Sequence, residues 1–219
     1  AAFQQISPRA EVPVFVHGDL SIYDSSIILE YIEEQWPAPA LLPAKPQERA
    51  RVRLLEEVMD THFEANTWGL GEITFFGRAQ GEQAVALRAF AESEINRWYT
   101  WLDQQLGQAD WFNGASFGWG DMAVVPFVHG AVRFDIQPAA DSALAAWYTR
   151  ASERDSVIQC RTAAEGAELD SATMTAAIAQ GFRREYRDHR LEWMVRAGGL
   201  NIVEAGIRAD NLRFHEAFL

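Results

Sequence analysis

The spacing of apolar positions along the chain changes twice. Val12-Pro13-Val14-Phe15-Val16 and Leu20-Ser21-Ile22-Tyr23 are short β-prone runs on either side of His17-Gly18-Asp19, which predicts a hairpin with a three-residue turn. Immediately afterwards Ile27, Ile28, Tyr31 and Ile32 fall at helical spacing, Asp24 and Ser25 suit the helix start, and Pro37 closes the segment. Four of the eight prolines lie between Pro37 and Pro46. A proline locks φ and donates no hydrogen bond, so this stretch is expected to be a linker, neither helix nor central strand.

Beyond the linker the period is helical and no further strand is expected. The first helix, from Pro46, turns Val52, Leu55, Met59, His62 and Phe63 to one face and is expected to end or kink at Trp68-Gly69-Leu70-Gly71. A second, from about Glu82 to Leu106, turns Phe90, Trp98, Trp101 and Leu102 inward. A third begins near Asp121 with Val124, Val125, Phe127 and Val128 buried and Pro126 in its first turns. In the last third an Ala-rich segment leads into a long amphipathic helix from about Ser171 to Ala197, striped by Met174, Ile178, Phe182, Tyr186, His189 and Trp193 and stopped by Gly198-Gly199. The expected organisation is a strand–strand–helix fragment over 1–36, a linker over 37–46 and an all-helical part over 47–219 with additional helices from about 165.

Composition narrows the function. With 219 residues, 48% of them apolar and 23% charged, the chain can bury a substantial core. No run approaches the roughly 18 consecutive apolar residues of a membrane-spanning helix. A net charge of −12 argues against nucleic acid and anionic membrane surfaces as partners, because such affinity comes from Lys and Arg displacing counterions. Cys160 is the single cysteine, so no internal disulfide is possible and a reducing, cytoplasmic setting is expected. The first residues lack the features of a secretory signal and an initiator Met, so the chain is expected to begin within a longer polypeptide. Its almost exclusive use of Arg over Lys suggests a GC-rich, bacterial coding genome.

Two places can carry chemistry. Val12-Pro13 stands where a strand begins; a cis bond there would leave backbone groups open to an extended peptide, and the alternative is a strand-start proline without function. At Tyr23-Asp24-Ser25-Ser26 a helix follows a strand directly, so free N–H groups, the helix dipole and the Ser25 hydroxyl favour a carboxylate while Asp24 can accept from an ammonium. The alternative is that Asp24 or Ser25 only caps the helix. His17, His62, His129, His189 and His215 lack ligand-like spacing, and no metal site is expected. Cys160 is expected to be a buried or half-buried structural thiol, His189 a satisfied packing residue, and the mixed-sign run Arg183 to Arg190 a solvated face paired along the helix, the alternative there being an anion or partner site.

Taken together, Ser7-Pro8-Arg9-Ala10-Glu11-Val12-Pro13-Val14-Phe15-Val16, Tyr23-Asp24-Ser25-Ser26-Ile27-Ile28-Leu29-Glu30-Tyr31-Ile32, Leu41-Leu42-Pro43 and Glu48-Arg49-Ala50 resemble the glutathione S-transferase family, as do Trp111-Phe112-Asn113-Gly114, Phe117 and Asp121 further on. The resemblance covers about residues 3 to 160. It implies an α/β plus all-α fold, a thioredoxin-like N-terminal domain (partial here) followed by an all-helical C-terminal domain, working as a homodimer. It also implies glutathione as co-substrate, with Val12 and cis-Pro13 binding its cysteinyl backbone, Asp24 and Ser25 binding its γ-glutamyl head, and its thiolate attacking a small apolar electrophile. Phe63, Trp68, Phe75, Phe76 and Phe127 come from helices that flank the second-substrate pocket in that family; most are expected to be core and a few to line that pocket. The activating Tyr, Ser or Cys of the family lies in a β-α-β unit ahead of the present hairpin, so the catalytic residue is unknown. Asp24 stands where the family more often has Glu or Gln, and Gly118 where it has Ser or Thr. Residues from about 165 exceed the usual family length and are expected to cover the cleft or extend the dimer surface. The run from Tyr23 to Tyr31 also resembles stringent starvation protein A, a fold relative that binds RNA polymerase, which leaves a non-catalytic binding module as the alternative.

Overall fold

Val14–His17 (β1) and Leu20–Tyr23 (β2) pair antiparallel, with Val14 opposite Tyr23 and His17 opposite Leu20. The loop is therefore two residues long, not three, because His17 joins the ladder. Gly18 at φ 59° supplies the reversal, as the first position of a type II′ turn requires. The computed structural model describes residues 3, 6, 7, 12–166 and 171–214. Pro8, Arg9, Ala10 and Glu11 of the front motif and His215 lie outside the described residues.

Helix α1 (Ser25–Gln35) follows β2 directly. Its cap is Asp24, whose carboxylate accepts from the N–H groups of Ser26 at 3.1 Å and Ile27 at 3.5 Å. Ile28 is buried and Tyr31 and Ile32 are half-buried, whereas Ile27 is exposed, one position off the expected face. The linker is held at its middle, from α1 on one flank and from the chain around residues 113–119 on the other. The Glu33 carboxylate accepts from the N–H groups of Leu41 and Leu42, and the Leu41 carbonyl accepts from Trp119 N–H and Asn113 Nδ2.

Helix α2 (Pro46–Val58), a π-helical turn (Met59–Phe63) and α3 (Glu64–Thr74) follow one another without an intervening loop. The irregularity sits at 59–63; the expected kink at Trp68-Gly69-Leu70-Gly71 does not occur. Gly69 answers to packing instead, since a Cβ there would lie 2.3 Å from the Trp193 indole. In α4 (Gly81–Leu106) Leu87, Ala91, Ile95, Tyr99, Leu102 and Leu106 form the buried row, and Phe90, Trp98 and Trp101 are half-buried beside it.

Helix α5 (Trp119–Val132) starts two residues before Asp121, so Pro126 falls at mid-helix, not in the first turns. Asp121 is fully buried, and its carboxylate accepts from Phe112 N–H at 2.8 Å, Gly118 N–H at 3.0 Å and Trp147 Nε1 at 2.7 Å. The departure at Gly118 has a steric cause. A Cβ there would fall 1.9 Å from Asn113 Nδ2, and Asn113 supplies the missing acceptor through Oδ1 to Gly120 N–H at 3.0 Å.

Helices α6 (Ala143–Ser152) and α7 (Asp155–Gly166) complete this part of the bundle. Cys160 on α7 is exposed, contrary to the expectation of a buried thiol, because α7 buries no residue. The expected single helix over 171–197 is two: α8 (Ser171–Ala179) and α9 (Asp188–Arg196), separated by a turn with Gly181 at φ 92° and by strand β3 (Arg184–Glu185). After α10 (Leu200–Arg208), strand β4 (Leu212–Arg213) pairs parallel with β3, Arg184 opposite Leu212 and Glu185 opposite Arg213. These strands correct the expectation that none follows the linker. Gly198-Gly199 does end α9, with Gly198 at φ 86°. No described helix is long and apolar enough to cross a membrane.

Candidate functional site

A cavity of about 260 Å³ is lined by Val12, Pro13, Asp24 and Ser25 on one side and by Glu185, Arg187, Arg190 and Arg213 on the other. All four residues singled out in the sequence thus face one space. The Val12-Pro13 peptide bond is cis, Val12 is 80% exposed, and its backbone N–H and C=O have no hydrogen-bond partner among the described residues. Asp24 sits at φ 78°, a region that non-glycine residues seldom occupy and that recurs at ligand sites. Its Oδ1 is engaged by the cap, while the Ser25 hydroxyl has no partner among the described residues.

The start of α1 is supported from behind. Ser26 Oγ lies 2.8 Å from Glu56 Oε1 and 3.2 Å from Asp60 Oδ2, and Glu56 Oε2 accepts from Trp119 Nε1 at 2.7 Å. Burial pushes the Asp60 carboxyl up to about 6; the hydrogen bond from Ser26 opposes the rise and the neighbouring Glu56 charge adds to it.

The opposite wall is made by the chain beyond residue 183, which α3 holds in place. Glu72, fully buried, accepts from Tyr186 Oη at 2.9 Å and Arg184 Nε at 2.6 Å. Glu64 takes the Arg190 guanidinium at 2.6 Å and His189 Nε2 at 3.1 Å. Burial alone would raise the Glu64 carboxyl, but His189 and Arg190 hold it below the ordinary carboxylate range. Arg213 Nη2 lies 3.3 Å from Glu185 Oε2. The mixed-sign run at 183–190 is therefore not a solvated helical face; Arg184 and Arg190 pair across to α3, Arg183 pairs at the surface with Asp210, and three residues of the run line the cavity. Sequence reasoning kept an anion site at Glu185, Arg187 and Arg190 only as the alternative reading and missed Arg213. The signal was the density of arginine in that run, but continuing apolar spacing through Phe182 and Tyr186 disguised it as helix.

Of the aromatic residues from the helices expected to flank a second substrate, most are core as expected and none lines this cavity. Phe63 and Trp68 are core residues, Trp68 meeting Tyr186 edge-on at 4.7 Å, and Phe75, Phe76 and Phe127 are half-buried away from the cavity. His189 is half-buried, with its ring nitrogens in hydrogen-bond contact with Glu64 and Asp188. Among the described residues no group of three or more His, Cys, Asp or Glu is placed to hold a metal.

A family profile described as the glutathione S-transferase N-terminal domain matches residues 1–40. The chain is 31% identical over 148 residues to a probable maleylacetoacetate isomerase of Vibrio cholerae serotype O1, a match covering 62% of this chain and 64% of that protein. It is 30% identical over 165 residues to the probable glutathione S-transferase parC of Nicotiana tabacum, covering 70% and 68%. Among solved structures, a theta class glutathione S-transferase from Xanthomonas axonopodis pv. citri with glutathione bound superposes with a TM-score of 0.59 at 26% identity, covering 72% of this chain and 75% of that one. The chain spans a little under two thirds of the Vibrio protein. These matches bear out the expected fold, part of a thioredoxin-like domain followed by a helical one, which here also carries the short β3–β4 pair.

Proposed function

The chain belongs to the glutathione S-transferase family, and on that premise we propose that it is a glutathione-dependent transferase, binding the tripeptide along Val12-Pro13 and at Asp24-Ser25. The observation that carries this reading is the shared cavity. An unpaired backbone stretch at Val12, free for an extended peptide, shares it with a helix start where the Ser25 N–H and hydroxyl are left to a carboxylate, the next N–H groups being taken by Asp24. Asp24, its second oxygen not used by the cap, is available to the α-ammonium.

In the reaction the glutathione thiol loses its proton to solvent. The thiolate forms the carbon–sulfur bond to an electrophile, and the leaving group departs with its electron pair. No residue of this chain is assigned to thiol activation. The proposed setting is a bacterial cytoplasm, with two copies of the chain forming the working unit. The transferase reading is preferred to a binding module like stringent starvation protein A because a pure scaffold needs neither an unpaired peptide edge nor a free hydroxyl at the helix start.

Calorimetric titration with glutathione tests it. Saturable binding at one ligand per chain is expected, weakened by about 1 to 3 kcal/mol in Ser25→Ala. A folded Ser25→Ala protein with unchanged affinity rejects the site, and a folded parent protein that takes up no glutathione rejects the function.

A further inference from the structure

Three arginines from beyond residue 183 face the proposed glutathione site, on a chain whose overall charge of −12 repels anions. Two of them are already paired within the wall: Arg190 grips Glu64 through Nε and Nη2, and Arg213 meets Glu185. Arg187 differs. Its side chain makes no hydrogen bond or ion pair with any described residue, although it lines the cavity and is half-buried. Its neighbour Asp188 points away, 99% exposed and turned to His189.

Arg187 is also held in a fixed position. Tyr186, one residue before it, is 1% exposed and bonded to the buried Glu72, and three residues after it Arg190 is clamped to Glu64. A guanidinium presented between two such anchors loses little further freedom on binding, which is the condition for a useful charge-assisted contact. Apart from Val12 and Pro13, every side chain of the lining is polar or charged, so the space suits an acidic ligand.

Resting on the glutathione reading, we propose that Arg187 forms an anion subsite which takes a second carboxylate from the ligands in this cavity, distinct from the one held at Ser25. That carboxylate belongs either to the glycyl end of glutathione or to an acidic electrophile. The chemistry is the same, and two arms of one experiment separate the sources.

The full chain and its Arg187→Gln variant are titrated with glutathione and with the glycyl monoethyl ester of glutathione. Both proteins are then assayed with a neutral aryl chloride, 1-chloro-2,4-dinitrobenzene, and an acidic one, 4-chloro-3-nitrobenzoate. Arg187 caps α9 without using its side chain, so the variant is expected to fold, which circular dichroism checks. If the glycyl carboxylate is the ligand, the variant loses about tenfold in affinity for glutathione and nothing for the ester. If the electrophile supplies it, glutathione affinity is unchanged and KM rises about tenfold for the benzoate alone. Equal effects on charged and uncharged ligands, or none, overturn the subsite. Should neither protein bind glutathione, the transferase reading falls, and thermal stabilisation by the dicarboxylate glutarate decides the subsite: lost in Arg187→Gln it stands, absent or unchanged it does not.

Discussion

Tyr186 donates its hydroxyl to Glu72 Oε2 at 2.9 Å, joining the segment that forms one cavity wall to the middle of α3 from 114 residues away in sequence. Arg184 and Arg78 surround the same carboxylate, so a buried charge is balanced by two guanidinium groups and a phenol. Burial drives the Tyr186 hydroxyl far above its usual range, with the Glu72 charge adding to the effect, and so keeps it a donor at every physiological pH.

Tyr186→Phe should therefore lower stability by about 1 to 2 kcal/mol, since the ring still packs edge-on against Trp68 while one donor to a buried carboxylate is lost. Urea denaturation gives the number. Amide exchange should show the loosening concentrated in residues 184–196, and protection unchanged there would contradict the anchoring role.

Asp60 provides a pH signature. Its folded carboxyl keeps a proton up to about 6, whereas the unfolded chain releases it near the ordinary value of 3.8. Between those values the native state binds more protons, so this group's contribution to stability falls as pH rises from about 4 to about 6. Asp60→Asn removes the step. Its stability relative to the parent should rise by on the order of 1 kcal/mol between pH 4 and pH 7, a figure reduced for partial solvent exposure. Parallel pH profiles of the two proteins would refute this.

Gly69→Ala should cost about 1 to 3 kcal/mol or more, because the added methyl would enter the Trp193 indole at 2.3 Å while Trp193 Nε1 is fixed to Asn66 Oδ1 at 2.8 Å. Thermal melting reads the loss. Combining the change with Trp193→Leu should recover part of it, and strict additivity of the two substitutions would argue against a steric cause.

Asp121→Ala leaves the N–H groups of Phe112 and Gly118 and the indole of Trp147 without an acceptor inside the core. A loss of about 3 to 5 kcal/mol follows, enough to unfold a protein of ordinary stability. Soluble yield and melting temperature measure it; a variant that melts within a degree or two of the parent would show that water replaces the carboxylate.

The hairpin, α1 and the linker were legible because strand alternation, a capping residue and a proline cluster are local signals. Asp24 and Ser25 could be named for the same reason: the free N–H groups of a helix start follow from where that helix begins. The arginine wall could not be read that way. Phe182 and Tyr186 keep helical spacing through a stretch where Gly181 turns the chain, and the partners that fix the turn, Glu64 and Glu72, lie more than a hundred residues earlier. Likewise Gly69 looked like a helix breaker because nothing near it in sequence announces the Trp193 ring.

The linker changes how the cavity can open. Its prolines give it the composition of a joint, yet Glu33 ties Leu41 and Leu42 to α1, and the Leu41 carbonyl is fastened by Trp119 at the start of α5 and by Asn113 in the loop before it. It behaves as a strut. The hairpin side of the site is thus braced against the helical bundle, as the arginine-bearing wall is braced by its ion pairs to α3, so neither wall is a hinge and the cavity is a preformed cleft.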